Sequence, residues 1–156
     1  MKWSHMGMGI LSAAALVGIA AAQQEGAMQM ADIEHLTSPE FERMGLPFSE
    51  AVRVGDILYL SGQLGTDPET DELVPGGIKP EAAQTMENIR RVVEKYGSSM
   101  DRVVKCTVFL ADIAEWPAFN EEYVKFFPGR KPARSAFAAS GLALDARVEV
   151  GCIAAL

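Results

Sequence analysis

The chain has 156 residues, enough for one domain with a buried core but too few for two domains of ordinary size. It carries 14 Lys and Arg against 21 Asp and Glu, so its formal net charge is −7. An acidic chain without a basic stripe lacks the main driving force for binding phosphate backbones. Nucleic acid is therefore not an expected partner.

The first 22 residues have the pattern of a secretory leader. Lys2 is the one formal charge, and an apolar run rich in Ala and Gly follows over Met6–Ala22. This run is shorter than the roughly 20 strongly apolar residues of a membrane span. We therefore expect cleavage before Gln23 and export, rather than a permanent membrane anchor. A cytoplasmic protein that starts at Met28 or Met30 is the alternative.

The expected organisation is a leader over residues 1–22, an N-terminal segment over 23–32 and a single domain over 33–156. Outside the leader the sequence contains one histidine, His35. One histidine is too few for a metal site built on His ligands, and it gives little support for a Cys-His nucleophile pair. We therefore expect neither a metal nor a cofactor.

The first elements of the domain are predicted to be a hairpin and a helix. Strand-forming residues at Ala51–Val54 and Ile57–Gly62 flank Gly55-Asp56, a pair typical of tight turns. Farther along, apolar residues recur at spacings of 4, 3, 4 and 3, which predicts one buried helix face that ends before Gly97. Its members are Ala82, Met86, Ile89, Val93 and Tyr96.

A strand and an aromatic helix are predicted to follow. Alternation over Val103–Leu110 places Val104, Cys106, Val108 and Leu110 on an apolar side and Val103, Lys105, Thr107 and Phe109 on a mixed side. The second helix carries aromatic residues from Trp116 to Phe127, which we interpret as core, and it is closed by Pro128-Gly129.

The two cysteines, Cys106 and Cys152, lie in apolar runs. A buried free thiol fits such a position, and a disulfide would fit it in an exported protein. We interpret Cys106 as a core residue rather than a nucleophile.

The C-terminal segment carries the main chemical signal. Pro132 keeps the chain extended before Arg134, and Glu149 follows Arg134 by 15 residues, with Ser140-Gly141 and Asp145 between them. We predict a hairpin in which Arg134 and Glu149 are cross-strand neighbours, roughly 5 to 8 Å apart. They could share a pocket, since an Arg fork suits a carboxylate and a Glu can orient water. The alternative is a structural salt bridge.

These elements predict a β-β-α-β-α-β-β order, with two helices that cover the apolar face of one sheet. The last strand, like the one at Val103–Leu110, has an apolar side and a mixed side with few charges. Because a mixed face of this kind suits a subunit interface that encloses a small polar site, we expect a homo-oligomer.

Eight short motifs are distributed across the domain in a fixed order and spacing. They are Pro47-Phe48-Ser49-Glu50-Ala51-Val52, Leu60-Ser61-Gly62-Gln63, Glu87-Asn88-Ile89, Val104–Leu110, Asn120–Tyr123, Phe126-Phe127, Pro132–Ser135 and Val148-Glu149-Val150. In this order and spacing the motifs resemble those of the RidA family, also called YjgF. The resemblance implies a chorismate-mutase-like α+β fold with a single mixed sheet and two helices on one face. It also implies assembly as a homotrimer, with three pockets at the subunit interfaces.

The resemblance also implies an activity: hydrolysis of 2-imino or 2-enamino acids to 2-oxo acids and ammonia, without a cofactor. By motif, Arg134 would bind the substrate carboxylate and Glu149 would orient water. Ser61 and Gly62 would line the pocket, although small residues at a strand end also permit close packing. Asn120 is a further candidate that could instead be helix surface.

Three positions depart from the pattern of the deaminases. Phe48 stands where they commonly have Tyr, Ala136 where many have Cys, and Gly151 where many have a second acidic residue. Phe48 and Ala136 are retained as substrate-binding candidates. The departures favour an alternative class, a non-catalytic protein that binds small carboxylates or acts as a holdase. Retention of Arg134 and Glu149 favours the enzyme.

If the leader is removed, natively produced protein should begin at or near Gln23, because small alanines precede that residue as they do at leader cleavage sites. Mass spectrometry of the intact N-terminus measures this directly. A native start at Met28 or Met30 would contradict export.

Overall fold

The computed structural model describes residues 30–156, so the predicted leader lies outside the described residues. In chain order the elements within this range are β1 (Ile33–Leu36), α1 (Pro39–Arg43), β2 (Ala51–Val54), β3 (Ile57–Leu60), β4 (Gln63–Leu64), α2 (Ile78–Lys95), β5 (Val103–Leu110), α3 (Trp116–Tyr123), β6 (Ala133–Ala138) and β7 (Val148–Ala155). No helix among them is long and apolar enough to cross a membrane.

The strands form one mixed sheet in the order β1-β2-β3-β7-β5-β6, and the short β4 also pairs with β7. The neighbours in this order are antiparallel except β5 and β6, which are parallel. The buried faces of α2 and α3 pack on one side of the sheet around a single apolar core. The predicted fold class is confirmed. Three short elements, β1, α1 and β4, were not predicted from the sequence.

The first hairpin is confirmed. β2 and β3 pair from Ala51 opposite Leu60 to Val54 opposite Ile57, and Gly55 in the turn has a φ of 56°. Glycine adopts this left-handed backbone conformation at little steric cost. The same conformation matches the right-handed twist of the two strands of the hairpin.

The predicted C-terminal hairpin is wrong. β6 and β7 are not neighbours, because β5 lies between them, parallel to β6 and antiparallel to β7. The segment that joins β6 to β7 passes the end of β5: Ala139 N donates to Leu110 O at 2.8 Å, and Ala111 N donates to Arg147 O at 2.9 Å. The two strands β5 and β6 can run parallel because α3 provides the crossover between them. The other edge of β5 pairs with β7.

The predicted face of α2 is confirmed: Ala82, Met86, Ile89 and Val93 are fully buried. The helix starts at Ile78 and ends at Lys95, and Gly97 follows with a φ of 86°. Glu81 is also buried in the first turn, where its Oε1 accepts hydrogen bonds from the backbone N–H groups of Arg147 and Val148, at 2.7 and 3.3 Å. This carboxylate ties the start of α2 to the start of β7.

Two side chains differ from the predicted burial. Val103 is buried and Val104 is 48% exposed, the reverse of the prediction, because the β5–β7 register shifts between Val103 and Lys105. Such a bulge changes the face on which preceding residues lie. Trp116 was interpreted as core but is 43% exposed, since it begins α3 at the edge of the packed region, whereas Phe119, Tyr123 and Phe127 are buried as expected.

The face of the sheet away from α2 and α3 carries exposed aromatic residues. Tyr59 alternates with the buried Leu58 and Leu60 and is 45% exposed. Phe137 is 46% exposed, and its ring meets that of Phe109 edge-on with centroids 4.8 Å apart. Large apolar side chains on a sheet face that no described helix covers are typical of an interface.

Cys106 and Cys152 form a disulfide. They are directly opposite each other in the antiparallel β5–β7 pair, with Cα atoms 4.2 Å apart, and both are buried on the face that α2 and α3 cover. Of the two states that the sequence allowed, the structure has the disulfide, and the interpretation of Cys106 as a core residue is confirmed.

Reduction of this disulfide should destabilise the domain by about 4 kcal/mol, because the bond closes a 46-residue loop in the unfolded chain. We expect the melting temperature to fall by roughly 10 °C or more when wild-type protein is reduced. The Cys106→Ala/Cys152→Ala variant is the control, since reductant should leave its melting temperature unchanged. Equal melting temperatures for oxidised and reduced wild-type protein would contradict a stabilising disulfide.

Candidate functional site

Arg134 lies on β6 against the aromatic side of α3. Its Cζ is 4.6 Å from the centroid of the Tyr123 ring, 5.8 Å from that of Phe119 and 5.9 Å from that of Trp116. Three rings at this range stabilise the guanidinium through cation–π interactions. Within residues 30–156, Arg134 is not among the ion pairs. The Arg134 guanidinium is thus held by aromatic rings and forms no ion pair with a carboxylate of the described chain.

Two polar atoms on the same helix have no hydrogen-bond partner within the described chain: Asn120 Oδ1 and Tyr123 Oη, both buried. Burial raises the pKa of the Tyr123 phenol, and the nearby charge of Arg134 offsets part of that rise. The hydroxyl therefore stays protonated at neutral pH and can donate. A buried donor without an acceptor is costly, so its position calls for an explanation.

Ala136, two residues after Arg134, lies on the same side of β6 and packs against the core. Its methyl group offers no polar contact. The first group of candidate residues therefore consists of Arg134, Ala136 and Asn120, on β6 and α3, with Tyr123 beside them.

Glu149 belongs to a second group, on the opposite face of the sheet. Its neighbours Val148 and Val150 are fully buried under α2 and α3, so alternation directs Glu149 to the other side. A Cβ built on Gly62 would overlap the Glu149 carboxylate, and one built on Gly151 would contact Gly62 Cα at 4.0 Å. Gly62 therefore leaves the space that the carboxylate occupies.

Ser61 precedes Gly62 in this second group, and Phe48 precedes the residue whose carbonyl oxygen the Ser61 hydroxyl contacts. Ser61 Oγ donates to Ser49 O at 2.7 Å, which fixes the strand end beside Gly62. Phe48, next to Ser49 in the chain, is half exposed and packs edge-on against Phe41, with ring centroids 5.8 Å apart. The close-packing interpretation of Ser61-Gly62 and the pocket-lining one are compatible, because the packing is against Glu149.

A single chain does not bring Arg134 and Glu149 together. Arg134 is opposite Cys106 and Glu149 is opposite Phe109, so their Cα atoms are separated by three residues along β5 and by two strand spacings across it. That separation is about 14 Å, and the side chains project from opposite faces. The predicted cross-strand contact is wrong, and so is the alternative of a salt bridge within the chain.

A separate cleft of about 680 Å³ lies between α1 and α2, and it does not include Arg134 or Glu149. Its most buried charge, Glu50, is already satisfied by Lys95 Nζ at 2.9 and 3.0 Å and by Tyr96 Oη at 2.7 Å. We therefore place the candidate site at the two groups described above rather than in this cleft.

The aromatic contacts of Arg134 were not predicted from the sequence. Trp116, Asn120 and Tyr123 follow at spacings of 4 and 3, which places them on one side of a helix. A polar Asn within an aromatic stripe, shortly before a strand that carries Arg, was the available signal. It was obscured because an aromatic stripe usually indicates core.

Comparisons with known proteins agree with this fold. The family model for Endoribonuclease L-PSP matches residues 41–156. A mouse protein named 2-iminobutanoate/2-iminopropanoate deaminase is 42% identical over 108 residues, covering 69% of this chain and 80% of the mouse protein. A goat protein of the same name is 44% identical and is covered to 79%.

Solved structures are also similar. An Entamoeba histolytica protein described as an endoribonuclease L-PSP superposes with a TM-score of 0.73 at 39% identity, covering 80% of this chain and all of that one. E. coli TdcF, solved with bound serine, gives a TM-score of 0.68 at 30% identity over 71% of this chain and 89% of its own. The chain belongs to the Endoribonuclease L-PSP family, the family of the RidA and YjgF proteins.

Gly62→Ala should move the Glu149 side chain and destabilise the protein by about 0.5 to 1 kcal/mol, because the new methyl group meets the carboxylate end of a flexible side chain at an exposed position. Urea unfolding measures this change. Gly129→Ala is the matched control, since nothing lies within 4 Å of a Cβ at that position. In Gly62→Ala/Glu149→Ala the overlap is gone, so a double-mutant cycle should give a coupling of about 0.5 to 1 kcal/mol. Additive effects would contradict the contact.

Proposed function

We propose that this chain hydrolyses 2-imino acids and their 2-enamino tautomers to 2-oxo acids and ammonia, in pockets shared by neighbouring copies of the chain. The observation that carries the proposal is the Arg134 guanidinium, held by three rings and paired with no carboxylate of residues 30–156. A planar, permanently charged fork in this state suits a substrate carboxylate. The mouse and goat relatives named 2-iminobutanoate/2-iminopropanoate deaminase support the reaction class, and the serine bound to TdcF supports a carboxylate ligand.

The reaction needs little nucleophilic machinery. Arg134 holds the carboxylate so that C2 of the imine faces the water that Glu149 orients. As the water oxygen bonds to C2 of the protonated imine, the Glu149 carboxylate accepts a proton from the water, which gives a carbinolamine. Return of that proton to the amino nitrogen lets the C–N bond break, and the carbinolamine hydroxyl gives its own proton to the Glu149 carboxylate as the C=O bond forms. Ammonia takes up this proton and leaves as ammonium, and the 2-oxo acid remains. Positioning accounts for most of the acceleration, because a protonated imine carbon is already electrophilic.

The two groups must come from different copies, because Arg134 and Glu149 project from opposite faces of one chain. The exposed Tyr59 and Phe137 supply an apolar surface on the Glu149 side that a neighbouring copy could cover. A closed ring of three copies would place the Arg134 group of one chain against the Glu149 group of the next and would form three equivalent pockets. We propose this homotrimer as the active form.

A non-catalytic carboxylate-binding protein is the second candidate. Phe48 lacks the hydroxyl, Ala136 the thiol and Gly151 the carboxylate that many deaminases have at these positions. None of the three losses removes the Arg134 fork. Binding of carboxylates would therefore survive even if turnover did not, and the experiment below separates the two functions.

We also propose that the protein is exported. Support comes from the leader-like pattern of residues 1–22 and from the Cys106–Cys152 disulfide. Disulfides persist in oxidising compartments and are rare in the cytosol, where thiols are kept reduced. A cytoplasmic location after an internal start is the competing proposal, and it would leave both thiols free in the native protein.

Arg134→Ala should abolish binding of 2-oxobutanoate and ammonia release from 2-iminobutanoate generated in situ, because the charged fork is lost. Glu149→Gln should keep most of the 2-oxobutanoate affinity but lower the turnover number at least 100-fold, since the amide cannot accept the proton of water. Circular dichroism and light scattering establish that each variant is a folded trimer. Wild-type protein that binds 2-oxobutanoate but releases no ammonia faster than buffer would overturn the hydrolase in favour of the binding protein.

The same two variants test whether the pocket is shared. When they are unfolded together and refolded as mixed trimers, about a quarter of the pockets should combine an intact Arg134 with an intact Glu149 from the neighbouring chain. Ammonia release should rise accordingly above that of either variant alone. A pocket built within one chain would give no recovery, and a monomer that remains active would also contradict the shared site.

A further inference from the structure

The buried hydroxyl of Tyr123 is a feature of α3 that packing does not explain. Packing accounts for the ring, which contacts the rings of Phe119 and Phe127 at centroid distances of 5.5 and 4.9 Å. The Arg134 guanidinium lies over the face of the same ring. The hydroxyl has no hydrogen-bond partner within residues 30–156. A phenylalanine would give the same packing without burying an unpaired polar group.

Tyr96 shows what a satisfied tyrosine looks like in the same protein. Its hydroxyl donates to Glu50 Oε2 at 2.7 Å, and Lys95 Nζ binds the same carboxylate at 2.9 Å. The Tyr96 hydroxyl therefore has its hydrogen-bond acceptor within the same chain. The contrast with Tyr123 indicates that the acceptor for the Tyr123 hydroxyl comes from outside the described chain.

The position beside Arg134 specifies what that acceptor is. Among described residues, Arg134 is the cation that contacts the Tyr123 ring, and it lacks an anion of its own. An anion that binds the fork would come close to the hydroxyl on the same ring. The unpartnered Oδ1 of Asn120, one helical turn before Tyr123, adds an acceptor for an N–H group. The cluster thus offers a cation, a donor and an acceptor.

We infer that Tyr123 Oη donates a hydrogen bond to the carboxylate that Arg134 holds, so that Tyr123 is a ligand-binding residue and not only part of the core. This inference rests on the proposed carboxylate site, not on turnover. The aromatic rings fix the guanidinium from one side, and the Tyr123 hydroxyl helps to select the orientation of the carboxylate.

The experiment compares Tyr123→Phe with Tyr96→Phe in the full chain, using 2-oxobutanoate as the probe. We expect Tyr123→Phe to weaken binding by about 10-fold or more in calorimetry without lowering the melting temperature, because the hydroxyl has no partner in the unliganded protein. Tyr96→Phe should do the opposite and lower the melting temperature with unchanged affinity. Light scattering reports the assembly state of both variants.

Three outcomes would overturn the inference: unchanged affinity in Tyr123→Phe, loss of assembly in that variant, or a wild-type protein that does not bind 2-oxobutanoate. The proposed function is judged separately, by ammonia release. A second measurement does not depend on the folding of any variant. In wild-type protein labelled with ¹³C at tyrosine Cζ, one of the three tyrosine signals should shift on addition of 2-oxobutanoate. That signal should be absent from Tyr123→Phe, and a spectrum without a shift would also overturn the inference.

Discussion

The antiparallel pairing of β5 with β7 is the constraint on which the rest of the molecule depends. It places Cys106 opposite Cys152 and Val108 opposite Val150, all buried beneath α2 and α3. The same alternation sends Glu149 to the other face of the sheet. A slip of one residue would exchange the two faces, burying the carboxylate and exposing the core. The disulfide prevents such a slip once it has formed, because it joins two directly opposed residues.

The local elements could be predicted from the sequence because their signals are local. The 3.6-residue periodicity of α2 gave the correct buried face, and Gly55 marked the correct turn. The pairing of β6 could not be predicted in this way. A strand, a punctuated loop and another strand resemble a hairpin in sequence, whereas the true partner of β6 precedes it by an entire crossover helix. The bulge at Val104 similarly depends on the partner strand and leaves no mark in the pattern.

In the candidate site, too, the sequence predicts which residues take part but not how they are arranged. Arg134, Glu149 and Gly62 were predicted as site residues from motifs, whereas their distribution over two faces follows from the order and register of β5, β6 and β7. Tyr123 was assigned to the core, correctly for its ring. Only the structure separates that ring, which is packed against other aromatic rings, from its hydroxyl, which is buried without a hydrogen-bond partner among residues 30–156. Sequence patterns treat a side chain as a whole, whereas hydrogen bonding is decided atom by atom.

The exposed aromatic residues of the open sheet face have a thermodynamic consequence. Tyr59 and Phe137 remain almost half exposed in the single chain, so part of the apolar surface that usually stabilises a domain of this size is not yet removed from water. An assembly that covers this face adds its association free energy to that of folding. Mass action then makes unfolding depend on how much protein is present, and dilution alone would lower the melting temperature. The free energy of unfolding would then depend on the protein concentration as well as on the amino-acid sequence.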